Sequence, residues 1–392
     1  MKARKITEDI FHLGAIDWDR RMFDALIPLP HGTSYNAYLI KGSNKTALID
    51  TVEPSMKDDL LFQLNSVKTL DYIIVHHAEQ DHAGALPYIL SKYPEASVLT
   101  TSQGKDLVIN HVGIDPDKIR VVADGEKLDL GNKTLECIYT PWIHWPETMC
   151  TYSHEDKILF SCELFGSHLA TTDLYAYDQN KVYEAAKRYY AEIVMPFRKT
   201  TAGNIEKLAK YDIALIAPGH GPIYDQPSFI ISAYTQWLSD KPKNQVLIPY
   251  VSMHGSTEKM AKYLVSALAE RYVGVQPFDL AVTDIGQLAM SLVDAATLVI
   301  GTPAFHLGPH PIAFFATHLA NILRPKVVCV SIIGSYGWGS SIVETMTGLI
   351  PDLNVEVIPP VLCKGEPKEK CFQALDILAD TILSKHKQYG LF

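Results

Sequence analysis

Four short apolar runs in this 392-residue chain each end on side chains that bind metals, and that repetition limits the folds open to it. "YIIV" runs straight into "HHAEQDHAG", which carries His77, Glu79, Asp81 and His82. "LECIYT" leads to "PWIHWP" with His144, "KILFSC" to Glu163, and "IALIAP" to "GHGP" with His220. Short apolar runs bounded by turn residues read as buried strands. Donors at strand ends meet only where several strands deliver them to one edge of a sheet, as in a layered α/β fold. The set is then four histidines and three carboxylates, enough for two metal ions sharing a bridge. "AGALPYIL" reads as the start of a helix, so the H-x-E-x-D-H residues are expected on the loop between strand and helix.

Imidazole with carboxylate suits iron, manganese or zinc. No cysteine joins the set unless Cys162 turns inward, so thiolate ligation is not implied. Three carboxylates against the four charges of two divalent ions leave room for one bridging hydroxide. Anionic oxygen ligands favour a higher oxidation state, which inclines the set toward a redox metal. Zinc accepts carboxylates too, so a dinuclear zinc hydrolase stays open as the competing class.

The clearest break in the chain is the polar stretch "SDKPKNQ", Ser239 to Gln245. Before it, strand-like runs such as "TALIDT" and "SVLTTS" alternate with turns and a few helical patterns, a mixed α/β domain over residues 1–243. After it, strands and helices alternate regularly, the pattern of a doubly wound parallel sheet over 244–392. Three loops there follow apolar strands. The first holds Ser252, Met253, His254, Gly255, Ser256 and Thr257; the second Thr302, Pro303, Ala304, Phe305 and His306; the third Ser335, Tyr336, Gly337, Trp338 and Gly339. The first offers backbone N–H groups, hydroxyls and the positive end of a helix, all suited to a phosphate. It lacks G-K-[ST] and G-x-G-x-x-G, so neither a triphosphate nor a dinucleotide is indicated. Taken alone, it reads equally well as a helix capped by Ser or Thr. Phe305, Tyr336 and Trp338 add aromatic rings at the same edge, where a flavin could stack.

A formal net charge of −9 makes nucleic acid a poor partner. The N-terminal residues show no apolar stretch behind their basic ones, so no secretory leader is expected, and no run reaches about 18 apolar residues. The six cysteines (137, 150, 162, 329, 363, 371) contain no C-x-x-C pair. They are expected as reduced, mostly buried thiols of a cytosolic protein, with no disulfide frame, iron–sulfur cluster or fused rubredoxin module.

Taken in order, "HHAEQDH", "WIHWPETM", "LFSCELFG" and "APGHGP" resemble the flavodiiron proteins, and the likeness spans almost the whole chain. It implies an N-terminal metallo-β-lactamase-like αββα sandwich followed by a C-terminal flavodoxin-like doubly wound parallel sheet. Hydrolytic members of that superfamily carry H-x-H-x-D-H and the diiron branch H-x-E-x-D-H, as here. One iron would be held by His77, Glu79 and His144, and the other by Asp81, His82 and His220. Glu163 stands where the family ordinarily has a bridging Asp. Its extra methylene leaves three outcomes open: bridging, ligation of one iron, or a changed metal–metal spacing. The resemblance further implies FMN at the three loops and reduction of O₂ to water, NO to N₂O, or both, as a cytoplasmic detoxification. Electrons would come from an external donor such as rubredoxin or a similar small redox protein. A head-to-tail homodimer, or dimer of dimers, would bring Glu79 and Trp145 near the partner's flavin. His168 in "FGSHLA" is a candidate local acid. An electron carrier with a relic metal domain is the third class, but a relic has no reason to keep all seven donors.

Overall fold

A computed structural model describes residues 2–392 of the chain, which divide into two compact units parting between Leu238 and Ser239. In the first unit two sheets pack face to face. Strands Arg4–Lys5, Ile10–Asp17, Thr33–Lys41 and Thr46–Ile49 are antiparallel neighbours, and Tyr72–Ile74, Ser97–Thr100 and Ile119–Val121 continue that sheet in parallel. The second sheet runs Lys127–Asp129, Thr134–Tyr139, Met149–Ser153 and Ile158–Cys162 antiparallel, with Leu215–Pro218 added in parallel at its edge.

Alternation along the strands decides what faces what. In Thr33–Lys41, Tyr38 and Ile40 point between the sheets, where they meet Leu135, Cys137, Met149 and Phe160. Tyr35, Ala37 and Leu39 point the other way, into a core closed by helical residues Leu60, Leu64, Leu86 and Ile89. Helix Gln179–Tyr189 and helix Pro227–Leu238 belong to the same unit, with Tyr190, Tyr234 and Trp237 packed ring to ring. The result is the expected αββα sandwich.

The second unit is built on one parallel sheet. Its spatial order is Gly274–Asp279, Lys243–Tyr250, Ala295–Phe305, Cys329–Tyr336, with Glu356–Val357 and Val361–Lys364 both beside the last. Numbered along the chain this is 2-1-3-4-5, the flavodoxin-like winding, with its switch point between the first and third strands. Val246 and Ile248 face helices Ser256–Glu270 and Glu369–Gln388 through Met260, Leu264, Leu378 and Ile382. The opposite face is covered by Ile285–Leu292 and Pro311–Leu323. Among the described residues, no helix is long and apolar enough to cross a membrane.

One expectation fails here. Cys137, Cys150, Cys162 and Cys329 are free and buried, but Cys363 and Cys371 form a disulfide across a Cα–Cα distance of 6.2 Å. The pair joins the last strand to the first turn of helix Glu369–Gln388. Their eight-residue separation matches no short motif, and only the loop's return brings them together.

Candidate dinuclear metal site and flavin pocket

The "HHAEQDH" stretch is shaped by Glu79. Its backbone is extended (φ −65°, ψ 153°) and starts a short helix, Gln80–Ala83, so Asp81 and His82 stand on helical positions rather than on a loop. The helix begins earlier than the apolar pattern suggests because the chain turns directly at Glu79. An N-cap side chain ordinarily bonds the first free N–H groups. Glu79 makes no such bond, and its Oε2 lies 3.0 Å from His77 Nε2 and 3.0 Å from His144 Nε2. The chain gives up a cap to keep this carboxylate between two imidazoles.

A second group lies alongside. His220 Nε2 is 3.3 Å from Asp81 Oδ2, 3.2 Å from His82 Nε2 and 3.3 Å from Glu163 Oε1. The His77 and His82 rings, 5.3 Å apart, connect the groups. Glu163 follows Cys162, a buried residue in the left-handed region (φ 53°) that turns the chain sharply off its strand. Held strain of this kind is most often found at functional sites. All seven predicted donors are thus brought together, in the two triads His77–Glu79–His144 and Asp81–His82–His220 with Glu163 beside the second.

Each inner histidine is oriented from behind. His77 Nδ1 is 2.7 Å from Glu147 Oε1, His82 Nδ1 is 3.3 Å from Asp50 Oδ2, and His220 Nδ1 donates to the Ser34 carbonyl at 2.7 Å. With the outer nitrogen engaged, Nε2 presents its lone pair to the interior, the arrangement of metal-binding imidazoles. Asp50 also accepts from the His76 N–H at 2.8 Å and is itself left-handed (φ 54°).

The electrostatics call for cations. Burial works against charge throughout, yet the His144 and His77 hydrogen bonds hold the Glu79 carboxyl down at about 2. Asp81 and Glu163 are likewise depressed against burial, by the charges of His82 and His220. His77 is lifted to about 9 against burial by Glu147 and Glu79, and His220 to about 10 against burial, chiefly by Glu163 and Asp81. Positive charge is therefore strongly favoured at these nitrogens. Two facing Nε2 atoms at 3.2 Å, with buried Asp81 Oδ1 lacking a hydrogen bond, fit a bound cation in place of protons. The seven donors are nitrogen and oxygen, as suits iron, manganese or zinc, and Cys162 Sγ also comes within ligand range of His82 and Glu163.

A cavity of about 380 Å³ opens over the cluster, lined by Glu79, Asp81, Tyr35, Leu29, Phe23 and His168 among others. His168 is buried, with Nδ1 3.0 Å from Thr33 Oγ1 and no partner for Nε2. Burial, and then the charge of His220, push it down to about 3, so it is a neutral imidazole. Trp145 packs its ring edge-on to His77 at 4.9 Å.

In the second unit, a cavity of about 280 Å³ is lined by Ser252, Met253, His254, Ser256, Pro303, Ala304, Ser335, Tyr336, Gly337, Trp338 and Gly365. Gly255, at φ 86°, caps the helix Ser256–Glu270 in a conformation other residues adopt at a cost, and its N–H bonds Ser252 Oγ at 3.1 Å. Thr257 is buried instead, 3.2 Å from Ser335 Oγ, and Thr302 Oγ1 accepts from the His310 N–H. Phe305 leans on His306 and His310, and neither it nor His306, Gly255 or Gly339 lines the cavity. The pocket fits a flavin phosphate: hydroxyls and N–H groups at the helix start, an apolar floor, and Trp338 left 81% exposed at the rim.

Sequence reading passed over Asp50, Glu147 and Tyr189. Asp50 ends the run "TALID" and obeys the same strand-end rule as the other donors. Glu147 sits in "WPET", three residues past His144. Tyr189, which donates to Glu163 Oε2, lies within a helix and carries no local signal.

The comparisons agree with this arrangement. A family described as "ODP family beta lactamase" matches residues 33–221. A nitric oxide reductase of Moorella thermoacetica is 34% identical over 383 residues, covering 94% of this chain and 96% of that protein. The structure of rubredoxin oxygen:oxidoreductase from Desulfovibrio gigas superposes with a TM-score of 0.94 at 31% identity, over 99% of each chain. A flavo di-iron protein mutant from Thermotoga maritima gives 0.87 at 26%, over 97% of this chain and 98% of that one. With both domains matched in order and the seven donors clustered, the chain belongs to the flavodiiron proteins.

Proposed function

We propose that this protein is a cytoplasmic oxidoreductase that reduces O₂ to water, NO to N₂O, or both, at a pair of irons, with electrons passed through FMN from an external donor of the rubredoxin kind. One observation carries the reading: two buried to half-buried nitrogen–oxygen donor groups lie at one cavity, in a chain whose other unit presents a flavodoxin-like phosphate edge. Relatives named for NO reduction and for rubredoxin-dependent O₂ reduction support both gases. A hydrolase would leave Glu79 and the flavin pocket without a purpose.

His77, Glu79 and His144 would hold one iron, and Asp81, His82 and His220 the other, with Glu163 beside the second. Bound iron supplies single electrons to a small oxidant, and FMN stores them in pairs. The chain's own residues do the rest. Glu147, Asp50 and the Ser34 carbonyl fix the imidazoles so that no reorganisation is needed during turnover. Phe23, Leu29 and Tyr35 give the cavity an apolar side suited to a diatomic gas. Asp24 and Glu53 line the same cavity, and burial, then the charges of Glu79 and Asp81 respectively, raises their pKa. They are the carboxyls most ready to hold a proton, while His168, held neutral by burial, offers its unpartnered Nε2 to the cavity for hydrogen bonding only. In the flavin pocket, the hydroxyls of Ser252 and Ser256 would hold the phosphate, with Tyr336 and Trp338 beside the ring.

The open rim at Trp338 and Met253 supports a head-to-tail homodimer in which a second copy brings Glu79 and Trp145 to that flavin. Sedimentation tests this, a monomer turning over at full rate being the contrary result. The activity itself is tested by electrode assay of O₂ and NO with reduced rubredoxin. Consumption of at least one gas is expected, and inertness toward both in protein holding two irons and FMN would overturn the proposal.

A further inference from the structure

The Glu163 carboxylate is divided between two neighbours. Oε1 faces His82 Nε2, in close contact, and His220 Nε2 at 3.3 Å. Oε2 accepts the hydroxyl hydrogen of Tyr189, and both side chains are buried. The donor clusters compact enough to surround one ion place Glu163 with His82 and Cys162, so it shares His82 with the Asp81–His82–His220 triad, and none among the described residues places it with His77, Glu79 and His144. The fold makes room for the tyrosine. Tyr189 ends the helix Gln179–Tyr189, where the chain passes into a π-helical turn, Tyr190–Val194. Such turns recur at functional sites because they re-aim one side chain. Gly166, three residues past Glu163, clears the ring's place: a Cβ there would lie 2.8 Å from Tyr189 Cζ. His168 backs the ring at 4.8 Å.

We propose that Tyr189 is a positioning residue that holds Glu163 Oε2, so that Glu163 gives one oxygen to the Asp81–His82–His220 metal instead of bridging both metals. The extra methylene of glutamate is what lets the carboxylate reach the phenol while staying beside His82. An aspartate at the same position would retreat by about one C–C bond, roughly 1.5 Å, and would lose the phenol. This inference rests on the diiron reading and adds to it the division of labour at residue 163.

The test uses the full iron-loaded chain and X-ray absorption to read the iron–iron separation, with iron content measured first. In Tyr189→Phe the freed Oε2 can swing to the other metal, so the iron–iron distance is expected to shorten relative to wild type. Glu163→Asp is expected to shorten it too, and the double variant to add nothing further, because both act through one hydrogen bond. An unchanged distance in Tyr189→Phe with two irons retained would overturn the proposal. If Tyr189→Phe loads poorly, Glu163→Asp decides alone: an unchanged distance there is equally contrary. Wild-type protein without two irons would overturn the diiron reading and this inference together, and shows as metal content before any spectrum is taken.

Discussion

A histidine becomes a metal ligand through what stands behind it. His77, His82 and His220 each have the outer nitrogen engaged, by Glu147, Asp50 and the Ser34 carbonyl, and only His220 relies on the backbone. Glu147 also accepts the Ala78 N–H at 3.0 Å, so it ties strand exit and ligand together. Replacing it with glutamine keeps the volume but removes the charge that fixes His77. Glu147→Gln should weaken iron binding on the His77 side by roughly 10–100-fold, read by chelator competition with both metals counted. Unchanged affinity would show that His77 needs no partner. The sequence exposes the seven inner donors because each follows within a few residues of an apolar strand run, a position visible in the sequence. The residues behind them are harder to see. Asp50 obeys the same rule and was legible; Glu147 and Tyr189 act on residues 70 and 26 positions away, a relation no local pattern carries.

At the scale of elements, apolar rhythm locates nearly every strand that matters, and errors arise where side-chain chemistry overrides it. The helix at Gln80 starts before the apolar pattern does, because the chain turns straight from extended Glu79 into helix. The Cys363–Cys371 bond depends on a loop's return and is likewise invisible to spacing. The C-terminal helix Glu369–Gln388 shows how an element can carry a pH dependence. Its His386 is buried, with Nδ1 2.8 Å from Asn244 Oδ1 and Nε2 2.8 Å from Thr297 Oγ1. Burial lowers its pKa from about 6.5 to about 4. Between those values the unfolded chain takes up the proton and the folded chain does not, so stability falls as pH drops through that window and is level above it. Denaturant unfolding followed from pH 7 to pH 4 should show this loss, and His386→Gln should flatten it. An equal slope in the variant would assign the loss to other groups.

For the whole molecule, two units of different winding each bring their chemistry to strand ends, one with metal donors and the other with a phosphate-ready helix start. Neither set is informative alone: the histidines suit a hydrolase, and the hydroxyl loop suits an ordinary capped helix. Together they specify multi-electron reduction, and both were legible because strand ends and helix starts leave marks in sequence. How Glu163 divides its oxygens was not, since it turns on a tyrosine supplied by a distant helix. The central claim is that one chain holds two irons and one flavin. Iron, zinc and FMN should be measured per chain on protein expressed with ample iron. Two irons and one FMN are predicted; two zincs and no flavin, persisting under iron supplementation, would contradict the account and return the site to the hydrolases.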